Sequence, residues 1–290
     1  MTDASVDDPV IVRPPVVAAV PLVVDSPHSG MGWPADFSPV ASREAILTSW
    51  DAFVEELWHG VPEAGGTLVY ATFPRAYIDT NRREDDIDPA LLSGVWPHAL
   101  APSDYSRRGM GLIRRLALPG VPMYSAPLDT AAVEARIAHW YRPYRRVVAE
   151  AIAEARRRHG HVVHVNVHSM KSRGNAMNVD AGASRPDIVV SDRRGTTASP
   201  ALTAWAAAWF REAGLSTQVN DPYQGGDLVA TFGAPSDGCH SVQIEVNRAL
   251  YMDEAGFTRG SGFVALQGTL GAFSRAMACD GVALVAMEHR

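Results

Sequence analysis

The chain has 290 residues, of which 47% are hydrophobic and 20% are charged, and its formal net charge is -6 at pH 7. This length and apolar content support a sizeable buried core and argue against disorder, while the negative charge excludes a generally basic nucleic-acid-binding protein. The two cysteines, Cys239 and Cys279, exclude a disulfide framework and a thiolate zinc site.

The first part of the chain predicts two short strands, one helix and a long irregular region. Residues 1–18 are predicted to be a flexible lead-in, of which Met1 to Pro15 is acidic and contains no apolar signal core. β-branched runs predict the strands, and apolar side chains at helical spacing predict the helix. A region rich in Pro, Gly and charge is expected to form loops over a site. In chain order these segments are a strand over Leu22–Asp25, a helix over Ser42–Gly60, a strand over Thr67–Ala71 and loops over 82–127.

The second part of the chain predicts alternating helices and strands, which indicates an α/β protein with a layered sheet. No apolar stretch approaches the roughly 20 residues needed to span a bilayer, so we expect a soluble, cytoplasmic protein. The predicted elements are a helix from Asp129 or Thr130 to about His159, a strand over 162–167, a strand over Asp187–Val190, a helix from Ser199 to near Gly214, a strand containing Gln243–Glu245 and a closing helix over 257–279.

Two predicted strands lead into a His-Ser pair: His28-Ser29 follows the first strand, and His168-Ser169 follows the run beginning at Val162. Ligands of open α/β sheets bind outside the carboxyl ends of the strands, so both imidazoles are expected to face one crevice. Two histidines and a carboxylate around an open position form the usual catalytic zinc site. We therefore interpret His28 and His168 as metal ligands, and the additional His161 and His164 as structural.

A third ligand and a base are predicted from two acidic residues. Asp51 follows Trp50 on an otherwise apolar helical face, where a carboxylate is costly unless it is paired or bound to metal; a helix-surface acid is the alternative. Glu245 comes late on a predicted strand, where a general base could activate water. Pairing of Glu245 with Arg248 at the edge of the sheet is the alternative for that residue.

Two polar segments are candidates for substrate binding. Arg75 and the Asn81-Arg82 pair form a candidate anion clamp, because a guanidinium matches a carboxylate bidentately and an amide adds a donor; an ordinary charged loop is the alternative. The segment Asn220–Gly226 has the composition of a turn, and Gly225-Gly226 would allow the backbone to approach a ligand closely. Spacing alone does not choose between these alternatives.

The ordered set of motifs resembles the N-formylglutamate amidohydrolase family, over roughly residues 20–275. This family is similar in fold to zinc carboxypeptidases and aspartoacylases, so the resemblance implies an α/β three-layer sandwich with a mixed central sheet, and a single catalytic domain over 19–290. The motifs that carry it are Ser26-Pro27-His28-Ser29-Gly30, Asp79-Thr80-Asn81-Arg82, Gly109-Met110-Gly111-Leu112-Ile113, His168-Ser169-Met170, Asn220-Asp221-Pro222-Tyr223-Gln224-Gly225-Gly226 and the run from Gln243 to Met252.

The resemblance also implies roles for particular residues. It implies one zinc ion on His28, His168 and Asp51, with Glu245 as the base and Asn81-Arg82 as the clamp for a substrate carboxylate. Two positions depart from the family pattern. Asn166 stands where an Asp is expected two residues before the second His-Ser. Residues 227–231 read Asp-Leu-Val-Ala-Thr where an aromatic residue and then a basic residue or His are expected.

The implied reaction is hydrolysis of the linear amide of an acidic N-acyl amino acid, with N-formyl-L-glutamate as the leading candidate substrate. Another N-acyl-amino-acid deacylase or a carboxypeptidase-like hydrolase is an alternative. A metal-free protein that binds acidic metabolites on the same fold is a third, which Glu245 disfavours because binding alone needs no base. The partner is expected to be a small molecule, with no nucleic acid and no membrane, and the oligomeric state stays open.

Overall fold

The structure is a computed structural model that describes residues 8–176, 178 and 180–288. Its longest strands are Val162–Met170 and Cys239–Asn247, in which apolar and polar residues alternate over much of the length. The strands are β1 Val10–Arg13, β2 Leu22–Ser26, β3 Thr67–Ala71, β4 Leu92–Ser93, β5 Leu116–Leu118, β6 Val121–Pro122, β7 Leu128–Asp129, β8 Val162–Met170, β9 Ile188–Ser191, β10 Thr217–Val219, β11 Cys239–Asn247, β12 Met252–Asp253 and β13 Thr258–Arg259.

The helices begin at conventional caps where the sequence supplies them. Asp129 and Ser199 each accept a hydrogen bond from a backbone N–H of the first turn, and Gly160, with φ 81°, follows the end of the longest helix. The helices are α1 Arg43–Leu47, α2 Val54–Leu57, α3 Asp104–Arg107, α4 Thr130–Arg136, α5 Arg142–His159, α6 Pro200–Glu212, α7 Asp227–Phe232, α8 Phe263–Ala276 and α9 Val282–Glu288, with π turns joining α4 to α5 and α8 to α9.

A seven-stranded mixed sheet, in the order β1-β3-β2-β8-β11-β9-β10, carries the centre of the fold. The pairs β3–β2, β2–β8, β8–β11 and β9–β10 are parallel, and β11–β9 is antiparallel. All residues of β8 and β11 are buried, which requires cover on both faces of the sheet. The predicted α/β class with a mixed sheet flanked by helices is confirmed.

The chain forms two compact units, each built from separate segments. The unit with most of the sheet consists of Val12–Ser26, Asp51–Tyr70 and the described residues from Val147 onward, and its helices include α6 to α9. The other unit consists of the described residues up to Ile11, Pro27–Trp50 and Ala71–Arg146, and contains α1, α3, α4 and the short strands β4 to β7. Of the predicted lead-in, residues 1–7 lie outside the described part, and Val10–Arg13 forms β1.

The predicted helix over Ser42–Gly60 is wrong in its middle, where the chain leaves the helix between α1 and α2. The hydroxyl groups of Thr48 and Ser49 donate to carbonyls of the last turn of α1, at 2.7 and 2.9 Å. Phe53 then adopts a left-handed conformation with φ 61°, which ends helical geometry before α2 begins. Asp51 therefore lies in a break between two short helices and not on a helical face.

The prediction that no segment is long and apolar enough to span a membrane is also wrong by composition. The continuous helical segment Phe263–Glu288 is long and apolar enough to cross a membrane, with a mean hydropathy of 1.4 in its most apolar window, and 44% of that window is buried. The core helix of a soluble protein can have the same length and hydropathy. Here α8 contacts α2, and α9 contacts β8, so this segment packs against other elements of its own unit.

Candidate metal and catalytic site

One face of the two central strands carries a ladder of polar side chains. Because β8 and β11 are parallel and in register, alternate residues on the two strands lie side by side on the same face. All of these residues are buried among apolar strands, so each polar atom needs a partner. The register pairs are His164 with Ser241, Asn166 with Gln243 and His168 with Glu245.

His168 is held on both sides of its ring. Its Nε2 lies 2.7 Å from the Oδ1 of Asn166, and its Nδ1 lies 2.9 Å from the Oδ2 of Asp51. The other oxygen of Asp51 accepts from the guanidinium of Arg248 at 3.1 Å, and the Nε of Arg248 donates to the Ser169 hydroxyl at 3.1 Å. The burial of Asp51 is thus compensated by a buried cation, and Arg248 pairs with Asp51.

His28 follows strand β2 by two residues and is oriented by a different carboxylate. Its Nε2 lies 2.6 Å from the Oδ1 of Asp79, whose second oxygen accepts two hydrogen bonds from Arg75 at 3.2 and 2.7 Å. Burial alone would raise the pKa of Asp79, but Arg75 and His28 outweigh it and hold that pKa well below its usual value. The ionised Asp79 therefore accepts a hydrogen bond from His28 Nε2–H.

The three residues predicted as metal ligands come together. His28, Asp51 and His168 are all buried, and each offers one ligand atom within 4.8 Å of the others. Both imidazoles direct Nε2 to an oxygen acceptor, Asp79 or Asn166, so Nδ1 is the nitrogen through which each would ligate a metal ion. Two imidazole nitrogens and one carboxylate are the donor set of many catalytic zinc sites, so the residues present fit a zinc ion.

Glu245, the predicted base, lies beside His168 on the neighbouring strand. Its Oε1 accepts a hydrogen bond from the Nε2 of Gln243 at 3.0 Å, and the Oε1 of Gln243 accepts from the backbone N–H of Gly226 at 2.7 Å. Glu245 is 8% exposed. Gln243 therefore fixes the position of the Glu245 carboxylate and connects it by hydrogen bonds to the turn that contains Gly226. A carboxylate held in one position in this way could act as a general base.

Asn81 and Arg82 lie on a turn around Asp79. The backbone N–H of Asn81 donates to the Oδ1 of Asp79 at 3.0 Å. The Nε of Arg82 donates to the carbonyl of Met110 at 3.2 Å, and the guanidinium stacks over the ring of Tyr105 at 4.1 Å. Within the described part of the chain, the two terminal nitrogens of Arg82 make no hydrogen bond, so this guanidinium retains donors for an anion.

The other predicted substrate-binding residues have contacts within the protein. Arg75 contacts Asp79, as described above. The side chain of Asn220 accepts from the backbone of Asp192 and donates to its carboxylate, at 3.1 and 2.7 Å, and so organises a neighbouring loop. Gly225 has φ 104°, and a Cβ there would meet Val229 at 2.7 Å. Gly226 donates to Gln243, so the binding roles of these residues stay predictions.

Two partners of the ligands were not identified from the sequence. In the sequence, Asp79 belongs to a motif, and its position four residues after Arg75, at the start of a turn, is a pattern that could indicate an oriented carboxylate. For Arg248, the sequence offers Glu245 as a partner. The structure instead pairs it with Asp51, 197 residues away in the chain, and no local pattern could have indicated that pairing.

Comparison with known proteins gives a consistent result. The model of the N-formylglutamate amidohydrolase family matches residues 20–252. The chain is 28% identical to the N-formylglutamate deformylase of Pseudomonas aeruginosa and 23% identical to that of Pseudomonas putida, each over 81% of this chain and 83% of the relative. The crystal structure of N-formylglutamate amidohydrolase from Ralstonia eutropha JMP134 superposes with a TM-score of 0.89 and 43% identity, covering 93% of this chain and 97% of that one.

Proposed function

Since the chain belongs to the N-formylglutamate amidohydrolase family, an enzyme family that acts on amide bonds, we propose that it hydrolyses N-formyl-L-glutamate to L-glutamate and formate. The observation that carries this proposal is the group of His28, Asp51 and His168, with Glu245 on the strand next to His168. A binding protein would need no buried carboxylate beside such a group.

We propose that the three clustered residues hold one zinc ion. His28 and His168 would ligate through Nδ1, and Asp51 through its carboxylate, while Arg248 holds Asp51 in place. A zinc ion in such a site polarises an amide carbonyl and makes water a stronger acid. The protein's contribution is the fixed orientation of the ligands, which Asp79 and Asn166 supply.

Glu245 is the proposed general base. Its carboxylate accepts the proton from water as the water oxygen attacks the formyl carbon. It then delivers that proton to the amine nitrogen as the carbon–nitrogen bond breaks. The hydrogen bond from Gln243 to one carboxylate oxygen limits rotation of Glu245, which keeps the acceptor aimed at one position. Formate and the free amine of glutamate are the products.

Arg82 and Asn81 are the proposed binding groups for a substrate carboxylate. The terminal nitrogens of Arg82 present a planar pair of donors, and the guanidinium stacks on the ring of Tyr105, which limits its movement. A carboxylate held there would restrict the substrate to a few orientations, which lowers the entropic part of the barrier.

We further propose that the enzyme is soluble and cytoplasmic, with the segment Phe263–Glu288 as a core helix.

The test is a hydrolysis assay with purified protein and a panel of N-acyl amino acids, with metal content measured on the same samples. We expect formate release to be fastest with N-formyl-L-glutamate, about one zinc per chain, and loss and recovery of activity on chelation and zinc addition. Faster turnover of an N-acetyl or a neutral N-formyl amino acid would replace the substrate. Full activity without any metal would remove the zinc proposal.

A further inference from the structure

A continuous line of hydrogen bonds runs beneath the proposed metal site through the sheet, in one compact unit. The Nδ1 of His164 lies 2.7 Å from the Ser241 hydroxyl, and its Nε2 lies 2.8 Å from the Oδ1 of Asp25. The same oxygen of Asp25 accepts from the Nδ2 of Asn166 at 2.8 Å. Asn166 then contacts His168 at 2.7 Å. All five residues are at most 2% exposed, so bulk water does not supply these partners.

The chemistry of the donors determines the direction of these bonds. A carboxylate oxygen only accepts, so the Nδ2 of Asn166 must face Asp25, and its Oδ1 must face His168. An amide oxygen also only accepts, so the Nε2 of His168 carries the proton. The Nδ1 of His168 is then the nitrogen directed toward Asp51. The orientation of a proposed ligand thus depends on Asp25, which contacts no proposed ligand in these bonds.

We propose that Asp25 is a positioning residue for His168 and that it supplies, through the Asn166 amide, the negative charge that an Asp at position 166 would otherwise supply directly. This inference rests on the proposed metal site. His164 and Ser241 hold Asp25 from the far side, which gives His164 a role in the same line of bonds. The departure of Asn166 from the family pattern is therefore compensated by a carboxylate one hydrogen bond further away.

A second carboxylate at position 166 would be unfavourable in this chain. It would place two acceptors 2.8 Å apart in the dry interior, where like charges repel strongly and neither oxygen has a proton to donate. Because this repulsion would displace the acceptor of His168, we expect Asn166→Asp to lower zinc affinity by about 10- to 100-fold, the range typical of mutating a partner of a metal ligand.

The decisive test exchanges the two side chains. In Asp25→Asn/Asn166→Asp, the new amide at position 25 can donate one hydrogen to the carboxylate at 166 and the other to the Nε2 of His164. His164 then donates from Nδ1 to Ser241. Every bond in the line is satisfied again, so we expect the double variant to recover most of the affinity that Asn166→Asp loses. Zinc affinity is measured by competition with a chromogenic chelator, and thermal stability is measured on metal-free protein.

Thr203→Val is the matched control for a lost buried hydrogen bond. The Thr203 hydroxyl donates to Asp192 at 2.7 Å, and neither residue belongs to the line of bonds. This variant should lower the melting temperature without changing zinc affinity. If Asn166→Asp binds zinc as tightly as the wild type, or if the exchange restores no affinity, the positioning role of Asp25 is overturned.

A nitrogen-15 spectrum of metal-free protein separates failure of this inference from failure of the metal proposal. A hydrogen-bonded Nε2–H signal of His168 is expected in the wild type and should be lost in Asn166→Leu. If the wild type binds no zinc but shows this signal, the metal proposal fails and the positioning role stands. Absence of the signal from well-folded wild type overturns the positioning role whether or not zinc binds.

Discussion

Arg82→Lys tests whether the free guanidinium donors of Arg82 select an acidic substrate. In the structure the Nε of Arg82 is bound to Met110 and the guanidinium stacks on Tyr105, so the terminal nitrogens have a fixed direction. A lysine ammonium keeps the charge but has neither the planar fork nor the Met110 bond. A hydrogen bond to a charged group is worth about 1.5–3 kcal/mol, so we expect kcat/KM for N-formyl-L-glutamate to fall about 10- to 150-fold.

The assay compares N-formyl-L-glutamate with its α-amide in wild type and variant. If Arg82 holds the α-carboxylate, amidation removes a bond worth about 1.5–3 kcal/mol and lowers the kcat/KM of the wild type about 10- to 150-fold. It lowers the kcat/KM of Arg82→Lys much less. Arg83→Lys is the matched control, because Arg83 is the adjacent, exposed cation and pairs with Asp85. Its kinetics should match the wild type. Equal losses on amidation in wild type and Arg82→Lys would refute the role of Arg82 and point to another cation.

Three further predictions concern the metal ligands, the base and the pH dependence of folding. His28→Ala and His168→Ala should each lose bound zinc and activity together, measured by elemental analysis and formate release; a variant that keeps full metal would remove that residue from the ligands. Glu245→Gln should keep zinc and lose about 10²- to 10⁴-fold in kcat. The control Glu254→Gln should keep its kcat, because Glu254 accepts a hydrogen bond from the backbone N–H of Ser172 and has no proposed catalytic role. Near-normal turnover by zinc-loaded Glu245→Gln would make Glu245 structural. The lowered pKa of Asp79 means that this carboxylate contributes stability above its usual pKa of 3.8, and the contribution declines as pH falls toward the folded-state pKa. Unfolding free energy of Asp79→Asn should thus depend less on pH in acid than that of the wild type, and parallel curves would contradict the pairing.

The elements that the sequence predicts well are those whose local signals agree with their packing. The run at Leu22 is β-branched and fully buried, and it forms β2 as predicted. The long helix begins after Asp129 and ends before Gly160, where a cap and a glycine mark both boundaries. The run from Val162 also forms a strand, although β8 continues to Met170 because His168 and Ser169 find buried partners.

The break that positions Asp51 could not be predicted from periodicity. Trp50, Phe53, Val54 and Leu57 are all buried, so their spacing matches a helix even though the chain between them is not helical. The carboxylate of Asp51 reaches His168 and Arg248, which are 117 and 197 residues away. Contacts over such separations depend on the tertiary fold, and helix propensity is too weak to oppose them.

The other departure from the family pattern, at 227–231, changes the cover of the sheet. In the sequence, this segment lacks the aromatic and basic residues that the resemblance leads us to expect after Gly225-Gly226. In the structure it forms most of α7, which packs on β8 and β11 with Leu228 and Val229 buried. Phe232, at the end of α7, contacts the His164 ring edge-on at 5.6 Å. A basic residue at either of these buried positions would place an unpaired cation in the protein interior, which is costly. The segment therefore helps to keep water from His164, and with it from the hydrogen bonds that orient His168.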